Sequence, residues 1–256
     1  MSVNSEIVLY SAQSGIVRIT LNRPDKKNAL NDAMIAALKG ALRRADQDET
    51  VRVIIMSSSG SDFCSGADLA ALQKISNASV AENLEDARSL MELFLLIRAV
   101  RRPVIAAVRG RALAGGCGLA LACDIVLAAR SARFGFPEVK IGFVPAMVTA
   151  ILRRNVSEKK AFELITLGDE ISAGEAEGLG FINRAYEEER LEAEVDNLAR
   201  RFGALSASAI AQSKRLLYQT DSLSFEDALS AGADVNAIAR MSEDCRRGIE
   251  HFLKKN

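Results

Sequence analysis

The chain's 256 residues are 49% hydrophobic and 26% charged, an ordinary globular composition long enough for one large domain or a domain with a short appendage. Lys plus Arg and Asp plus Glu each number 33, so no surplus of cations faces phosphates and a dedicated nucleic-acid binder is disfavoured. Four cysteines without a CxxC pair, and His251 as the one histidine, exclude a disulfide framework, Cys/His zinc sites and most Ser-His-Asp arrangements. Proton chemistry is left to carboxylates and backbone dipoles.

The opening MSVNSEIVLYSAQSG lacks a basic stretch followed by an apolar one, so the cytoplasm is the expected location. Period-2 patterning at 7–12 and 16–21, separated by Gly15, predicts a hairpin. Asn22-Arg23-Pro24-Asp25 breaks the strand, and Asn31 or Asp32 caps a helix running to about 46. The run VRVIIMS at 51–57 reads as a strand buried on both faces, followed by a loop from Gly60 to Gly66. A helix is predicted over 80–100, with Leu84, Leu90, Met91, Phe94, Leu95 and Ile97 on one side, ended by Arg102-Pro103. Strands follow at 104–108, 125–129 and 133–136, with a glycine-rich loop and a small-residue helix at 116–123 between the first two. The apolar stretch 104–129 is interrupted by Arg109, Arg111 and Asp124, so it predicts no membrane span. Beyond Pro145 the pattern is almost wholly helical, with a capping box at Ser172-x-x-Glu175 and a cap at Ser224. The order implies an α/β core with a helical appendage, whose amphipathic stretches at 191–202, 209–217 and 225–239 suit packing on a neighbouring subunit.

Two segments share one design, an apolar strand, a loop of small residues and a helix start: 51–57 leading to Phe63–Leu69, and 104–108 leading to Gly110–Gly118. Unpaired N–H groups at such helix starts, approached closely past small side chains, can converge on one oxygen as an oxyanion hole. The plainer reading is that the glycines only let helices pack tightly on a sheet. No GxxxxGK[ST] is present, and Asp124 precedes its strand, so neither a phosphate-cradling loop nor a dinucleotide fingerprint is supported. Glu138 is the carboxylate to single out, because apolar and aromatic neighbours would desolvate it and raise its pKa toward the acid/base range; the plainer reading is an ordinary surface glutamate beginning a turn. Asp68 and Asp124 are expected to cap, Cys117 to be a buried small residue and His251 to lie on the surface.

Taken together, these segments resemble the enoyl-CoA hydratase/isomerase (crotonase) superfamily over nearly the whole chain. Asn22-Arg23-Pro24 with Asn28-Ala29-Leu30, then Phe63-Cys64-Ser65-Gly66-Ala67-Asp68-Leu69, then Ala114-Gly115-Gly116-Cys117-Gly118-Leu119-Ala120 running to Cys123-Asp124, and Phe134-x-x-Pro137-Glu138 are similar to its motifs in order and spacing. The resemblance implies an α/β fold, a crotonase-like spiral of repeated ββα units over 1–195, with a helical trimerisation region over 196–256. It implies a trimer or a dimer of trimers acting on an acyl-CoA thioester, with no metal and no cofactor beyond the CoA of its substrate. It implies that the Ala67 and Gly115 amides hold the thioester oxygen and that Glu138 moves the proton. Lys27, Ala29, Ala67, Asp68, Leu69, Gly115 and Gly118 would line substrate and CoA, and Phe252 and Lys255 would reach a neighbour's CoA. One departure stands out: many hydratases carry a second glutamate where this chain has Gly118, and their later glycine-rich stretch is replaced here by Val144-Pro145-Ala146-Met147-Val148. Hydratase is the first expectation, and a Δ3,Δ2-enoyl-CoA isomerase using Glu138 as sole acid/base is the alternative. A non-catalytic or RNA-binding homologue is a third reading, drawn from the basic run Arg98, Arg101, Arg102, Arg109 and Arg111. Acyl length is left to the walls formed by 80–100 and 144–148.

Overall fold

Apolar runs of two kinds become two kinds of strand. The computed structural model describes residues 6–255, apart from the side chains of Leu69, Leu72, Ile75 and Lys255. The alternating runs form β1 (Val8–Gln13) and β2 (Ile16–Leu21), an antiparallel hairpin turned at Ser14-Gly15 with both residues at positive φ. In β2 only Val17, Ile19 and Leu21 are buried, the expected half-buried pattern. The continuous runs form β3 (Val53–Ser58), β4 (Val104–Val108) and, after the short β5 (Arg111–Leu113), β6 (Ile125–Ala129). Three more short strands follow, β7 (Arg133–Gly135), β8 (Glu170–Ser172) and β9 (Arg184–Tyr186). The main sheet runs β1-β2-β3-β4-β6-β9 and is parallel from β2 onward, whereas β5-β7-β8 form a second small sheet.

Between the strands lie α1 (Asp32–Gln47), α2 (Leu69–Asn77), α3 (Val80–Ala99) and α4 (Gly115–Ala122). After the second sheet's β7 come α5 (Ala146–Leu152), α6 (Glu158–Leu167), α7 (Ala173–Gly178) and α8 (Glu188–Gly203). The chain ends with α9 (Ala207–Gln219), α10 (Phe225–Met241) and α11 (Glu243–Lys255). Local signals account for several starts. Asn31 accepts from the Met34 N–H at 2.9 Å to cap α1, and Ser172 and Glu175 form the expected capping box on α7. A second capping box, Ser79 with Glu82, starts α3.

Strand β3 has two buried faces because it separates two layers. Val53 and Ile55 join Ile105, Leu127 and the α8 residues Leu191, Val195 and Ala199 on one side. Ile54 and Met56 join the larger core under α1, α3 and α4 on the other. The stretch beyond Pro145 departs from the helical expectation, since β8 and β9 interrupt it. Each is three residues long, too short to show a period, and exists because a partner is present: Ile171 pairs with Phe134 and Arg184 with Leu127. The same applies to β5, inside the expected loop, and α2 is a further helix beyond those expected.

Candidate functional site

Two loops meet backbone to backbone. Residue 64 bridges residue 112, with the Cys64 N–H donating to Arg111 O at 3.0 Å and the Leu113 N–H donating to Cys64 O at 2.9 Å. The approach leaves no room for a side chain at Gly116, where a Cβ would sit 2.6 Å from Cys64 Sγ and closer still to Cys64 O. At Gly66, a Cβ would meet that of Ala114 at 2.8 Å. The plainer reading, helices packed tightly on a sheet, is therefore partly right: these glycines serve contact between the loops.

That contact directs two amides. Leu30 is paired alongside Ala67, taking the Asp68 N–H at 2.9 Å and giving its own N–H to Gly66 O at 2.7 Å. In a parallel bridge of this kind, Ala67's own N–H points away from Leu30. Gly115 is the first residue of α4, and its N–H has no intrahelical acceptor. Among the described residues, neither amide has a hydrogen-bond partner. Ala114, just before, holds φ 51° and ψ −129°, a strained geometry for a residue with a Cβ. Its N–H is fixed to Gly135 O at 2.9 Å.

The same pairing brings in the carboxylate. Leu113 of β5 is in register with Gly135 of β7, so Gly115 and the Pro137–Ile141 turn leave the small sheet side by side. Phe134 and Phe136, both buried, pack edge-on against Phe181 and anchor that exit, with centroids 5.5 and 6.3 Å away. Glu138 stands in the turn, half-buried, with Oε2 buried and without a hydrogen-bond partner. Burial pushes its carboxyl above the usual glutamate range, with its own backbone N–H working the other way. It lies near enough to Cys117 to disfavour a thiolate there, although burial is the larger cause of that raised pKa. Cys64 is likewise pushed up to about 12 by burial. Both thiols are neutral, as expected of buried cysteines.

Gly118 lies one turn after Gly115 on the same face of α4. The place a side chain would take there is already filled: Val148 Cγ1 lies on the Cβ position, and Phe94 Cζ is 3.0 Å from it. The two departures from the family pattern are thus one packing arrangement, in which α5 presents Val148 to the gap left by Gly118. Above Gly115, a Cβ would meet Leu30 Cδ1 at 3.5 Å and Leu90 Cδ2 at 3.6 Å. Leu90 and Phe94, four residues apart, form one stripe of α3 over Gly115 and Gly118. The expected apolar side of this helix contained both residues, but only the packing shows what they cover.

Asp68 accepts from the Ala70 N–H at 3.0 Å, the expected cap, and also pairs with Arg23 Nη2 at 2.8 Å, which holds its carboxyl below the usual range. Arg23 also donates to Ala29 O, and the Lys27 carbonyl takes the Ser65 N–H. Buried Asn28 ties this loop to its neighbour by donating to Ser59 O and Asp62 O, each at 2.8 Å. Lys27, Ala29, Ala67 and Asp68 are therefore drawn together, with Ala29 buried and Lys27 and Ala67 exposed. The side chains of Leu69 and Lys255 lie outside the described ones. Phe252 is 67% exposed on α11, which packs on α9 and α10. A cleft of about 820 Å³ opens beside Asp68, lined by the cations Arg23, Lys26 and Lys74 and by the carboxylates Asp32, Asp68, Glu82, Glu85 and Asp86.

The basic run does not form a free patch. Arg98 pairs with Asp221, Arg101 with Asp46 and Glu49, Arg102 with Glu49, Arg109 with Glu188, and Arg111 with Asp62. Asp124 caps no helix here, contrary to expectation, because its carboxylate faces the start of β4 and two side chains of α9. It accepts from the Val104 N–H at 2.6 Å, Lys214 Nζ at 2.7 Å and the Tyr218 hydroxyl at 2.7 Å, and sequence reasoning missed both side-chain partners. Among the described residues, no group of His, Cys, Asp and Glu is placed to hold a metal, and no helix is long and apolar enough to cross a membrane.

Two unpaired amides on touching loops, with one desolvated carboxyl carried out beside them, form an arrangement able to bind an acyl oxygen and move a proton next to it. The family described as enoyl-CoA hydratase/isomerase matches residues 11–256, and the chain belongs to that family. A crotonyl-CoA hydratase of Syntrophomonas wolfei is 34% identical over 252 residues, 98% of this chain and 96% of the relative. A 2,3-dehydroadipyl-CoA hydratase of Escherichia coli is 32% identical with the same coverage. The crystal structure of an enoyl-CoA hydratase from Mycobacterium smegmatis superposes with a TM-score of 0.94 at 33% identity, covering 98% of each chain. The expected crotonase-like α/β fold is borne out.

Proposed function

We propose that this protein is an enoyl-CoA hydratase that adds water reversibly to 2-enoyl-CoA thioesters, with Glu138 as its one proton-transfer group. The observation that carries the reading is the buried, unpartnered Oε2 of Glu138 on the turn beside the Gly115 amide. The hydratase names of relatives matched over nearly the full chain support it. In this reading the Ala67 and Gly115 amides take the thioester oxygen and stabilise the negative charge it gains in the enolate. Glu138 accepts a proton from water as the water oxygen bonds to C3, then delivers a proton to C2. The CoA half extends from Ala67 toward Lys27, Ala29, Asp68 and the cleft beside them, and Phe252 and Lys255 serve a neighbouring subunit's CoA. The chemistry needs no metal or cofactor beyond the substrate's own CoA. The protein works in the cytoplasm, as a trimer or a dimer of trimers.

Gly118 favours a second reading. With Val148 where a second carboxylate would stand, one base remains, and one base suffices to take a proton from C2 of a 3-enoyl thioester and return it to C4. Both readings require Glu138. Glu138→Gln is expected to lower hydration of crotonyl-CoA and isomerisation of a 3-enoyl-CoA by about a hundred- to ten-thousand-fold while the protein still binds butyryl-CoA. Retained turnover in that variant would sink both. Between them, the wild type decides: hydration outpacing exchange of substrate protons with D₂O supports the hydratase, and the reverse order supports the isomerase.

A further inference from the structure

The stripe on α3 continues past the site. Leu90 covers Gly115, Phe94 covers Gly118, and Arg98, four residues on, lines a cavity of about 890 Å³ between α3, α5 and α9. Phe94 belongs to both places, since its ring edge lies against Gly118 and the side chain also lines that cavity. The cavity wall near it is apolar, formed by Met91, Leu95, Met147, Ala150 and Ile151. The cleft beside Asp68 and Ala70 lies along the first half of α3, whereas the apolar cavity lies along the second. A thioester held at Ala67 and Gly115 with its CoA in that cleft therefore directs its acyl end along α4 toward Gly118 and meets the Phe94 ring.

Resting on the reading that this site takes acyl-CoA thioesters, we propose that Phe94, backed by Val148, is the specificity-determining wall that confines the protein to short acyl chains. Phe94 stands between Gly118 and the 890 Å³ cavity, touching both. A longer chain meets the Phe94 ring and Val148 packed against Gly118, where its added methylenes would go. Replacing Phe94 by a small residue joins the reaction chamber to the apolar cavity, where each added methylene gains burial.

The test is calorimetric titration with butyryl-CoA and decanoyl-CoA, two saturated thioesters that bind without reacting. Wild type is expected to bind butyryl-CoA the more tightly. Phe94→Ala is expected to shift the ratio of the two dissociation constants toward decanoyl-CoA by about tenfold or more. Adding Ala150→Phe, which refills the cavity, is expected to take that gain away, an effect that mere loosening of the core would not show. Phe94→Leu, a milder truncation, serves if the alanine variant does not fold, with the same direction expected. A folded variant with an unchanged ratio overturns the proposal, as does a wild type that already prefers decanoyl-CoA. Failure of both thioesters to bind wild type overturns the acyl-CoA reading itself. Loss of catalysis with the chain-length preference intact overturns only the assigned reaction.

Discussion

Burial of Glu138 acts on activity and on stability in opposite directions. Its folded-state pKa lies above its unfolded value, so the group favours folding at low pH, where it is protonated in both states. That advantage is lost as pH rises through the folded pKa, where the carboxyl must take a charge that its buried site solvates poorly. Glu138→Gln is therefore expected to raise the melting temperature at pH 7, a gain that vanishes below about pH 4, where a free glutamate is also protonated. Thermal melts across pH check this. Because the base form is needed for catalysis, wild-type turnover is expected to fall on acidification at a higher pH than an ordinary carboxylate would dictate. Gly118 gives a second test. The filled Cβ position means that Gly118→Glu adds no useful carboxylate and overpacks the core, at a cost of about 1–3 kcal/mol in denaturant unfolding. Combining it with Val148→Gly makes the room, and this double variant is expected to hydrate faster relative to isomerisation than the single one.

At the scale of elements, the site is held by connections that cross the fold. Asn28 stitches the 22–30 loop to the 58–62 loop, and β5-β7 pairing sets Gly115 beside the Glu138 turn. Helix α9 is held to α3 and to the segments entering β4 and β6 by a buried lysine, with Tyr218 beside it. Lys214, 8% exposed, donates to Ile97 O, Arg102 O and Asp124 Oδ2, and burial depresses its pKa although Asp124 works against the shift. Removing it strands the Asp124 carboxylate with only the Val104 N–H and the Tyr218 hydroxyl. Lys214→Ala is expected to destabilise by about 3–5 kcal/mol, measured by urea unfolding. Both α3 and α9 line the cavity behind Phe94, so the same variant is expected to blunt the chain-length preference as well.

Over the whole molecule, exposed apolar side chains concentrate on the last two helices. Helices α10 and α11 contain no fully buried residue among those described, while Phe225, Leu229, Ile238, Met241, Ile249, Phe252 and Leu253 are each more than half exposed. Ile141, at the end of the Glu138 turn, and Val144 just beyond it are exposed in the same way, at 69% and 66%. Apolar area on this scale is rare on monomers. Light scattering is expected to show a particle well above the 27.6 kDa of one chain, and a stable monomer at micromolar concentration would contradict the proposed trimer.

Much of this was legible in the sequence because it rests on local chemistry. The hairpin, the double-sided strand at 51–57, the caps at Asn31 and Ser172 and the two strand-loop-helix segments follow from period, β-branching, capping residues and small residues within a few positions. Glu138 stood out by its aromatic neighbours, but those alone left an ordinary surface glutamate as the plainer reading, and its role came from the resemblance. What needed the fold were facts about residues far apart in the chain. Three-residue strands such as β5, β8 and β9 have no period to read and form only where a partner supplies hydrogen bonds. The partners of Asp124 lie 90 and 94 residues away. The absence of a glutamate at 118 could be read directly, but its meaning could not. Only packing of α5 on α4 shows that Val148 has taken the space, because whether a volume is empty depends on every chain segment around it.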